Sequence, residues 1–525
     1  MVVRAIIQKN AYRDSVFLMN LSRRLGEMDG IDKAHALMGT PTNIRLLKED
    51  GLLVPELEGA GPNDLLVVVE AASDDVAGAA VKAATSTATA PRDASERAFP
   101  STATALEGSP GANLALISIP GPYVRREAMR VLDEGLNVFL FSDNVSLEDE
   151  VALKQRAQDK GLIVMGPGAG TAIVGGTAIA FANSIRPGPV GVVGASGTGI
   201  QEITVQLHRR GGGITHAIGT GGRDLYRDVG GISFLSGMDA LIADKDTRAL
   251  VLVSKPAHPE VEAQVLERAR AAKAAGKPVV VHFIGGNPAA VEAAGLVPAA
   301  TLEDAAAAIL ALLRGKEPSP IIFSAPRDDV MATARKAQEG LTDDQTDIRG
   351  LYSGGTLCGE ALLVLGPVLG PVRSNATKDP ALKMTDPNVS EGNTCVDLGE
   401  EEFTQGRPHP MIDHTLRCQR LVQEARDPAT VVILLDVVLG YGSSDDPAGA
   451  LVPTIQEAKS IAAAEGRSLV VVASVCGTDL DPQDLDNQEA ALREAGVIVL
   501  PSNAQAARMA ALIATRGSAE EMIFG

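Results

Sequence analysis

The chain has no tryptophan and few aromatic residues, only four cysteines in 525 residues, and no dense run of lysine and arginine. Each scarcity excludes something. Cys358, Cys395, Cys418 and Cys476 are widely spaced, which fits neither a secreted disulfide framework nor a paired metal-ligand spacing; no metal site is expected, and the cytoplasm is the expected compartment. With 47 Lys and Arg against 66 Asp and Glu the formal net charge is -19, so the long-range field repels phosphate backbones and anionic lipid. Neither nucleic acid nor a membrane surface is an expected partner, and an anionic ligand has to be held locally by helix starts and a few placed cations. No apolar run approaches membrane-spanning length, and Met1-Val2-Val3-Arg4 opens directly into an amphipathic strand without the apolar core of a signal peptide. Scarce aromatics with abundant Ala, Gly and Val suit small residues packed on parallel strands.

What is present is an alternation of strands and helices too long for one core. From Val3 to about residue 185, strands at Arg4 to Gln8, Lys33 to Met38, Leu65 to Glu70, Leu114 to Ile119, Asn137 to Phe141 and Leu162 to Met165 alternate with helical segments. This predicts a parallel sheet with helices on both faces, a Rossmann-like domain over 1–185. Ala83 to Pro110, rich in Ala, Thr, Ser and Pro, reads as a mobile excursion from it. Two flavodoxin-like domains with parallel sheets are expected over 186–316 and 347–525, joined by a linker with one helix over 317–346.

These two domains read as copies of one design. Strand Val190 to Val193 stops at Gly194-Ala195-Ser196-Gly197-Thr198-Gly199 and a helix begins at once; strand Gly350 to Tyr352 stops at Ser353-Gly354-Gly355-Thr356 and does the same. Gly197-Thr198 aligns with Gly355-Thr356 and Glu202 with Glu360. Unpaired N–H groups at such starts make anion cradles, so phosphate binding is assigned to Ser196, Gly197, Thr198 and Gly199 and to Ser353, Gly354, Gly355 and Thr356. A turn containing Gly221, Gly222 and Arg223 in the first copy occupies the place of Asp397, Gly399 and Glu400 in the second, and Asp436 ends a buried strand; strand ends are where α/β sites collect, and capping of a helix or turn is the other reading of the acidic three. Arg407 and His409 sit in a proline-stiffened loop, Gly406-Arg407-Pro408-His409-Pro410. Arg407 suits a substrate carboxylate and His409 proton transfer, with a rigid surface loop as the alternative. His282, inside an apolar strand, reads as a core side chain, and Cys358 as a packing residue.

Gly166-Pro167-Gly168-Ala169-Gly170 through Arg186 to Thr198 resembles the α subunit of succinyl-CoA synthetase, and Ser353 to Thr356 with Val396-Asp397-Leu398-Gly399 resembles the C-terminal ligase domain of its β subunit. More closely, Asp14-Ser15-Val16-Phe17-Leu18-Met19, Met38-Gly39-Thr40-Pro41-Thr42-Asn43, Ser254-Lys255-Pro256 and Gln405 to Asp413 resemble the FdrA proteins, which join both halves in one chain. The resemblance covers nearly the whole sequence and implies that the cradles correspond to the paired helices that hold a phosphoryl group in the synthetase. Departures bear on the chemistry. The phosphorylated histidine of the synthetase is missing after strand Val279 to Phe283, where Gly285-Gly286-Asn287-Pro288 stands, and Lys255 replaces the glutamate that orients it, a cation suited to the oxygens of an acyl phosphate. No nucleotide-grasping segment or Walker sequence is present, and Gln8 to Arg13 replaces the glycine-rich loop that would hold CoA. No cofactor is therefore expected to be required; CoA stays possible without its loop. FdrA proteins are linked with oxamate carbamoyltransferase of anaerobic allantoin breakdown, which implies oxalurate plus phosphate going to oxamate plus carbamoyl phosphate, or the reverse, with partner proteins. A CoA ligase working with a separate nucleotide-binding chain, and a non-catalytic scaffold, are the alternatives.

Overall fold

The computed structural model describes the chain apart from residues 1, 12, 14, 27, 50, 58, 90–98, 100 and 405–406, so Asp14, Gln405 and Gly406 of the motifs above lie outside the described residues. The chain divides into two compact units: Met1–Gly111 with Glu400–Asp413, and Ala112–Gly399 with His414–Gly525.

In the first unit β1 (Val2–Gln8), α1 (Ser15–Gly26), β2 (Ile31–Met38), α2 (Pro41–Glu49), β3 (Leu65–Ala71), α3 (Asp74–Thr89) and α4 (Thr102–Gly108) follow in order. The sheet runs β1-β3-β2 with β3 antiparallel to both neighbours, Val2 opposite Ala71 and Met38 opposite Leu65. This corrects the expectation of one parallel sheet from Val3 onward. Strand–helix alternation carries no strand direction: a βαβ unit with a third strand inserted antiparallel between its two strands has the periodicity of a doubly wound sheet. The central strand is buried on both faces. Leu65, Val67 and Val69 pack with Leu18, Leu21 and Leu25, and Leu66 and Val68 with Leu47, Leu52 and Leu57. Both ends of the Ala83 to Pro110 stretch are helical, in α3 and α4; 90–98 and 100 lie outside the described residues.

The second unit opens with a small parallel sheet, β4 (Leu114–Ile117), β5 (Asn137–Leu140) and β6 (Val164–Met165), crossed over by α5 (Gly121–Asp133) and α6 (Leu147–Asp159). Here lies the parallel, Rossmann-like part. A hairpin, β7 (Thr171–Val174) and β8 (Thr177–Ala180), leads to β9 (Pro187–Ala195), α7 (Gly197–Arg209), β10 (Ile214–Gly219), α8 (Ile232–Ala243), β11 (Ala249–Ser254), α9 (Pro259–Ala274), β12 (Val279–Phe283), α10 (Pro288–Ala293), β13 (Val297–Pro298) and α11 (Leu302–Leu313). After α12 (Arg327–Ala337) the pattern repeats: β14 (Asp347–Tyr352), α13 (Gly355–Leu369), β15 (Arg373–Ser374), β16 (Thr394–Asp397), α14 (Glu401–Thr404, in the first unit), α15 (Thr415–Arg426), β17 (Thr430–Val438), α16 (Pro447–Ala464), β18 (Val470–Cys476), α17 (Leu485–Glu494), β19 (Ile498–Leu500), α18 (Asn503–Ala514) and α19 (Glu520–Phe524). The five-strand orders β10-β9-β11-β12-β13 and β16-β14-β17-β18-β19 are the same and parallel, the flavodoxin order; the β7–β8 hairpin extends the first sheet antiparallel beside β10, and β15 extends the second beside β16. Strands such as Thr430–Val438, buried at every residue, are covered on both faces by helices, which is why they read as unbroken Val, Ile and Leu. Helices α7 and α13, each following the first strand of its copy, pack against each other.

Candidate functional site

Both predicted cradles are helix starts, and they meet. Ser196 is in extended conformation as N-cap of α7, its Oγ accepting from Gly199 N at 3.1 Å. The N-cap of α13 is Gly354, which has no side chain to offer. Its acceptor comes from the other copy: Thr198 Oγ1 takes the Thr356 N–H at 3.2 Å, and the Ser196 and Thr356 hydroxyl oxygens lie 2.5 Å apart. A Cβ on Gly354 would stand 2.8 Å from Thr198 Cγ2, so glycine is needed for this approach. Two helix starts brought together face each other with like partial charges, and the oxygens between them offset part of that cost.

Asp436 offsets more. Its carboxylate accepts from Ser353 N (2.9 Å), Gly354 N (2.7 Å) and Ser353 Oγ (3.1 Å), and Arg417 Nη2 reaches it at 2.7 Å. Asp436 and Arg417 are fully buried, and Arg417 also donates to the Leu351 carbonyl from Nε at 3.1 Å and Nη2 at 2.8 Å. The donors of Ser353 and Gly354, expected on a phosphate, are thus engaged by a carboxylate of the chain. In the first copy Val253 pairs with Gly194, two residues before the cap; Asp436 follows Leu435, the partner of Leu351, and so comes level with Tyr352, two residues before its cap. Where one copy has a carboxylate under the turn, the other has an isopropyl group.

The half-exposed residues of the two turns are Gly197 and Gly355, the first residues of the helices, while Ser196, Thr198, Ser353 and Thr356 are buried. Beside Gly355 stand two charged groups. A Cβ there would collide with Asp397 Oδ2 and lie 3.1 Å from Lys255 Nζ. Lys255 follows β11 and Asp397 ends β16, so both come from strand ends. Asp397 is held by its own backbone: Asn375 Oδ1 accepts from Asp397 N at 2.8 Å and Asn375 Nδ2 donates to Asp397 O at 2.9 Å, while Gly399 N donates to Asp397 Oδ1 at 2.9 Å. A cation and a carboxylate at a half-open helix start can hold a phosphate and move a proton. Asn375, Arg417 and the cross-copy role of Thr198 escape sequence reasoning. The available signal was weak: a Ser-Asn pair after a short strand.

Gly221 has φ of +89°, and a Cβ on it would stand 2.7 Å from the Pro167 carbonyl oxygen; Gly222 is open. Arg223 faces the small parallel sheet, donating to the Val145 carbonyl at 2.8 Å and pairing with Glu150 at 2.9 Å. It belongs to a mostly buried network in which Lys154 reaches Glu150 (2.8 Å), Asp224 (2.6 Å) and the Thr220 carbonyl (3.0 Å), so it braces the turn. Glu400, Arg407 and His409 belong to the first unit. There His409 Nδ1 accepts from Met411 N at 3.3 Å, its carbonyl accepts from Ile412 N at 2.8 Å, and burial pulls its imidazole down to about 4. His282 is buried, with Nδ1 at 2.9 Å from the Ala299 carbonyl and its pKa lowered by burial. Cys358 is buried as well, and burial pushes its thiol up despite the helix start.

Residues 351–513 match the CoA-ligase family, residues 185–285 the CoA-binding domain family, and residues 1–104 the family described as AllF, heavy metal-associated domain. With the repeated flavodoxin-order sheets and their joined helix starts, these matches make the protein a ligase-type member of the succinyl-CoA synthetase, or acyl-CoA synthetase, superfamily. YahF of Escherichia coli (strain K12) is 44% identical over 505 residues, covering 96% of this chain and 97% of that one. The chain belongs to the FdrA-like family of that superfamily. The ADP-forming sulfoacetate-CoA ligase subunit SauD of Bilophila wadsworthia is 29% identical over 185 residues, covering 34% of this chain and 61% of that one, and succinate–CoA ligase subunit alpha 2 of Archaeoglobus fulgidus is 28% identical over 148 residues, covering 27% and 50%. Among the described residues no helix is long and apolar enough to cross a membrane.

Two groups suggested by these descriptions can be tested against the residues. A heavy-metal site needs soft ligands, yet residues 1–104 contain no cysteine and one histidine, His35, and among the described residues no three His, Cys, Asp or Glu side chains form a metal-holding group. The donor set does not fit. A CoA diphosphate in the small parallel sheet would need an open helix start. At α5 a Cβ on Gly121 would collide with the Asn144 carbonyl, and Pro122 has no N–H to give. That start offers no such cradle, while the CoA-binding match itself covers residues 185–285, outside this sheet.

Proposed function

We propose that the junction of α7 and α13 binds an acyl phosphate, and that the protein is the carbamoyl-transferring component of an oxamate carbamoyltransferase. The observation that carries this reading is Lys255 Nζ beside Gly355, at the half-exposed first turn of α13, in a superfamily member whose buried His282 is tied to the Ala299 carbonyl. Lys255 and the Gly355 N–H hold the phosphate and take up charge as it leaves. The oxamate nitrogen attacks the carbamoyl carbon, the carbon–oxygen bond to phosphate breaks, and the proton lost by nitrogen ends on the phosphate, with Asp397 Oδ2 as relay; the products are oxalurate and hydrogen phosphate. The reverse direction is phosphorolysis of oxalurate. Arg407 and His409, which belong to the other unit, are assigned no part in these steps. Partner proteins complete the assembly, and no cofactor is needed in this chain.

The test is phosphate release from carbamoyl phosphate by the full-length chain, alone and in the complex isolated with it. Release that depends on oxamate and is lost in Lys255→Ala is expected. Product that depends on CoA and a nucleotide would instead identify a CoA ligase, the reading that the CoA-binding match favours. Lys255→Ala and Thr198→Ala assemblies as active as the native one would identify a scaffold.

A further inference from the structure

A chain of contacts leads from Lys255 to a second lysine. The loop that carries Lys255 is tied to the loop after β10, His258 N donating to the Leu225 carbonyl at 2.9 Å. Tyr226, the next residue, is exposed, and the Lys378 ammonium of the second copy lies 4.9 Å from its ring centroid. Lys378 stands three residues after Asn375, the side chain that clamps the backbone of Asp397. Asp397 Oδ2 and Lys255 Nζ flank Gly355 and close the circuit. Two lysines, one from each copy, are therefore joined by one chain of contacts.

They differ in what holds them. Lys255 stands beside a carboxylate, whereas Lys378 rests on a neutral π face. An exposed cation–π contact is weaker than a hydrogen bond between charged groups, so an arriving carboxylate displaces it. The neighbouring charges are occupied: Asp379 Oδ1 accepts from Ala381 N at 2.9 Å, and the Lys383 ammonium donates to the Asn375 carbonyl. In a chain of net charge -19, an anionic acceptor needs a local cation to enter at all.

We propose that Lys378, parked on Tyr226, is the specificity-determining residue that takes the carboxylate of the acceptor, so that the anionic monoamide of a small dicarboxylic acid is selected over the neutral diamide. This rests on the transferase reading above, with Lys255 serving the phosphate and Lys378 the carboxylate.

The experiment compares oxamate with oxamide, which lacks the carboxylate, in the full-length chain and its complex, using native protein, Lys378→Gln and Lys378→Arg. Direct titration of each compound accompanies KM measurements. In Lys378→Gln the KM and dissociation constant for oxamate should rise about tenfold, as for loss of a charge-assisted hydrogen bond, with those for carbamoyl phosphate moving less than twofold; oxamide should be bound equally by both, and Lys378→Arg should restore oxamate. Native protein that binds oxamate but neither binds nor cleaves carbamoyl phosphate overturns the transferase reading, and the oxamate titration then still decides for or against Lys378. An oxamate-to-oxamide preference that is the same in native protein and Lys378→Gln, or absent from native protein, overturns this inference and leaves the transferase reading standing.

Discussion

The two copies share sheet order, helix order and the glycine turn, yet the helix starts they present are chemically unlike. The first is self-capped by Ser196 and stands on Val253, an apolar residue. The second is capped by Thr198 of the first copy and stands on Asp436, an anion already bound by its N–H groups and balanced by Arg417. Two neutral helix starts facing each other would both call for an anion. Here the second start has its anion built into the chain at Ser353 and Gly354, and what it still offers to an outside anion is its Gly355 edge, where Lys255 stands.

Removing the built-in anion is expected to have the largest effect. Asp436→Ala leaves Arg417 buried without its charge partner and strips acceptors from Ser353 and Gly354, a loss of about 3–5 kcal/mol for breaking a buried pair. Val253→Ala at the matched place deletes two methyl groups and should cost about 2 kcal/mol. Denaturant unfolding of both variants checks the order. Equal losses would mean that the carboxylate does no more than fill space.

A second difference lies one turn further along. Glu202 and Glu360 occupy matched positions and both are buried with raised pKa, but Glu360 accepts from Leu302 N at 2.7 Å and Asn503 Nδ2 at 2.8 Å, at the starts of α11 and α18, while Glu202 accepts from Gln206 Nε2 at 3.0 Å. Burial pushes Glu360 up to about 8 from an ordinary 4.5. Between those values the unfolded chain has released this proton and the folded chain keeps it, so stability falls as pH rises through the window. Glu360→Gln should flatten that fall, being more stable than native protein by a few kcal/mol, on the order set by such a shift, at pH 8 to 9 and close to it at pH 5. Asn503 Oδ1, buried without a partner, can accept from the new amide once the Asn503 side chain turns over, which gives up the 2.9 Å bond from Asn503 Nδ2 to the Leu357 carbonyl. Urea midpoints across pH test this, and the slope that remains belongs in part to Glu202.

The legible and illegible parts of the sequence divide along the same line. Strand Val279–Phe283 and the Gly-Ser-Thr turns stand where hydrophobic runs and turn chemistry put them, because those signals are local. Strand direction in the first unit is not local, and the alternation from Val3 to Leu65 is equally compatible with the antiparallel order found. In the site, Ser196 as a cap is readable from its own turn. That the Ser353 and Gly354 donors go to Asp436, that Thr198 caps a helix 158 residues away, and that Arg223 is used by Glu150 depend on pairings which leave no periodicity in the chain. The Asp that ends a strand and the Arg on a helix face were visible as residues, but not as partners.

The smallest expected effect separates the two first-turn glycines. A Cβ at Gly197 has Thr171 Oγ1 as its nearest neighbour, at 3.4 Å, which is ordinary contact, whereas at Gly355 it would collide with Asp397 and crowd Lys255. Alanine favours a helix over glycine by up to about 1 kcal/mol, so Gly197→Ala should leave stability level or slightly raised. Gly355→Ala should lose that gain to the collision and end below native protein by about 1 kcal/mol, in line with modest overpacking. Phosphate affinity should fall in Gly355→Ala, because displacing Lys255 and Asp397 disturbs the groups assigned to the anion. If calorimetric titration with inorganic phosphate shows Gly355→Ala binding as native protein does, the anion site is not beside Lys255, and the asymmetry between the copies serves folding alone.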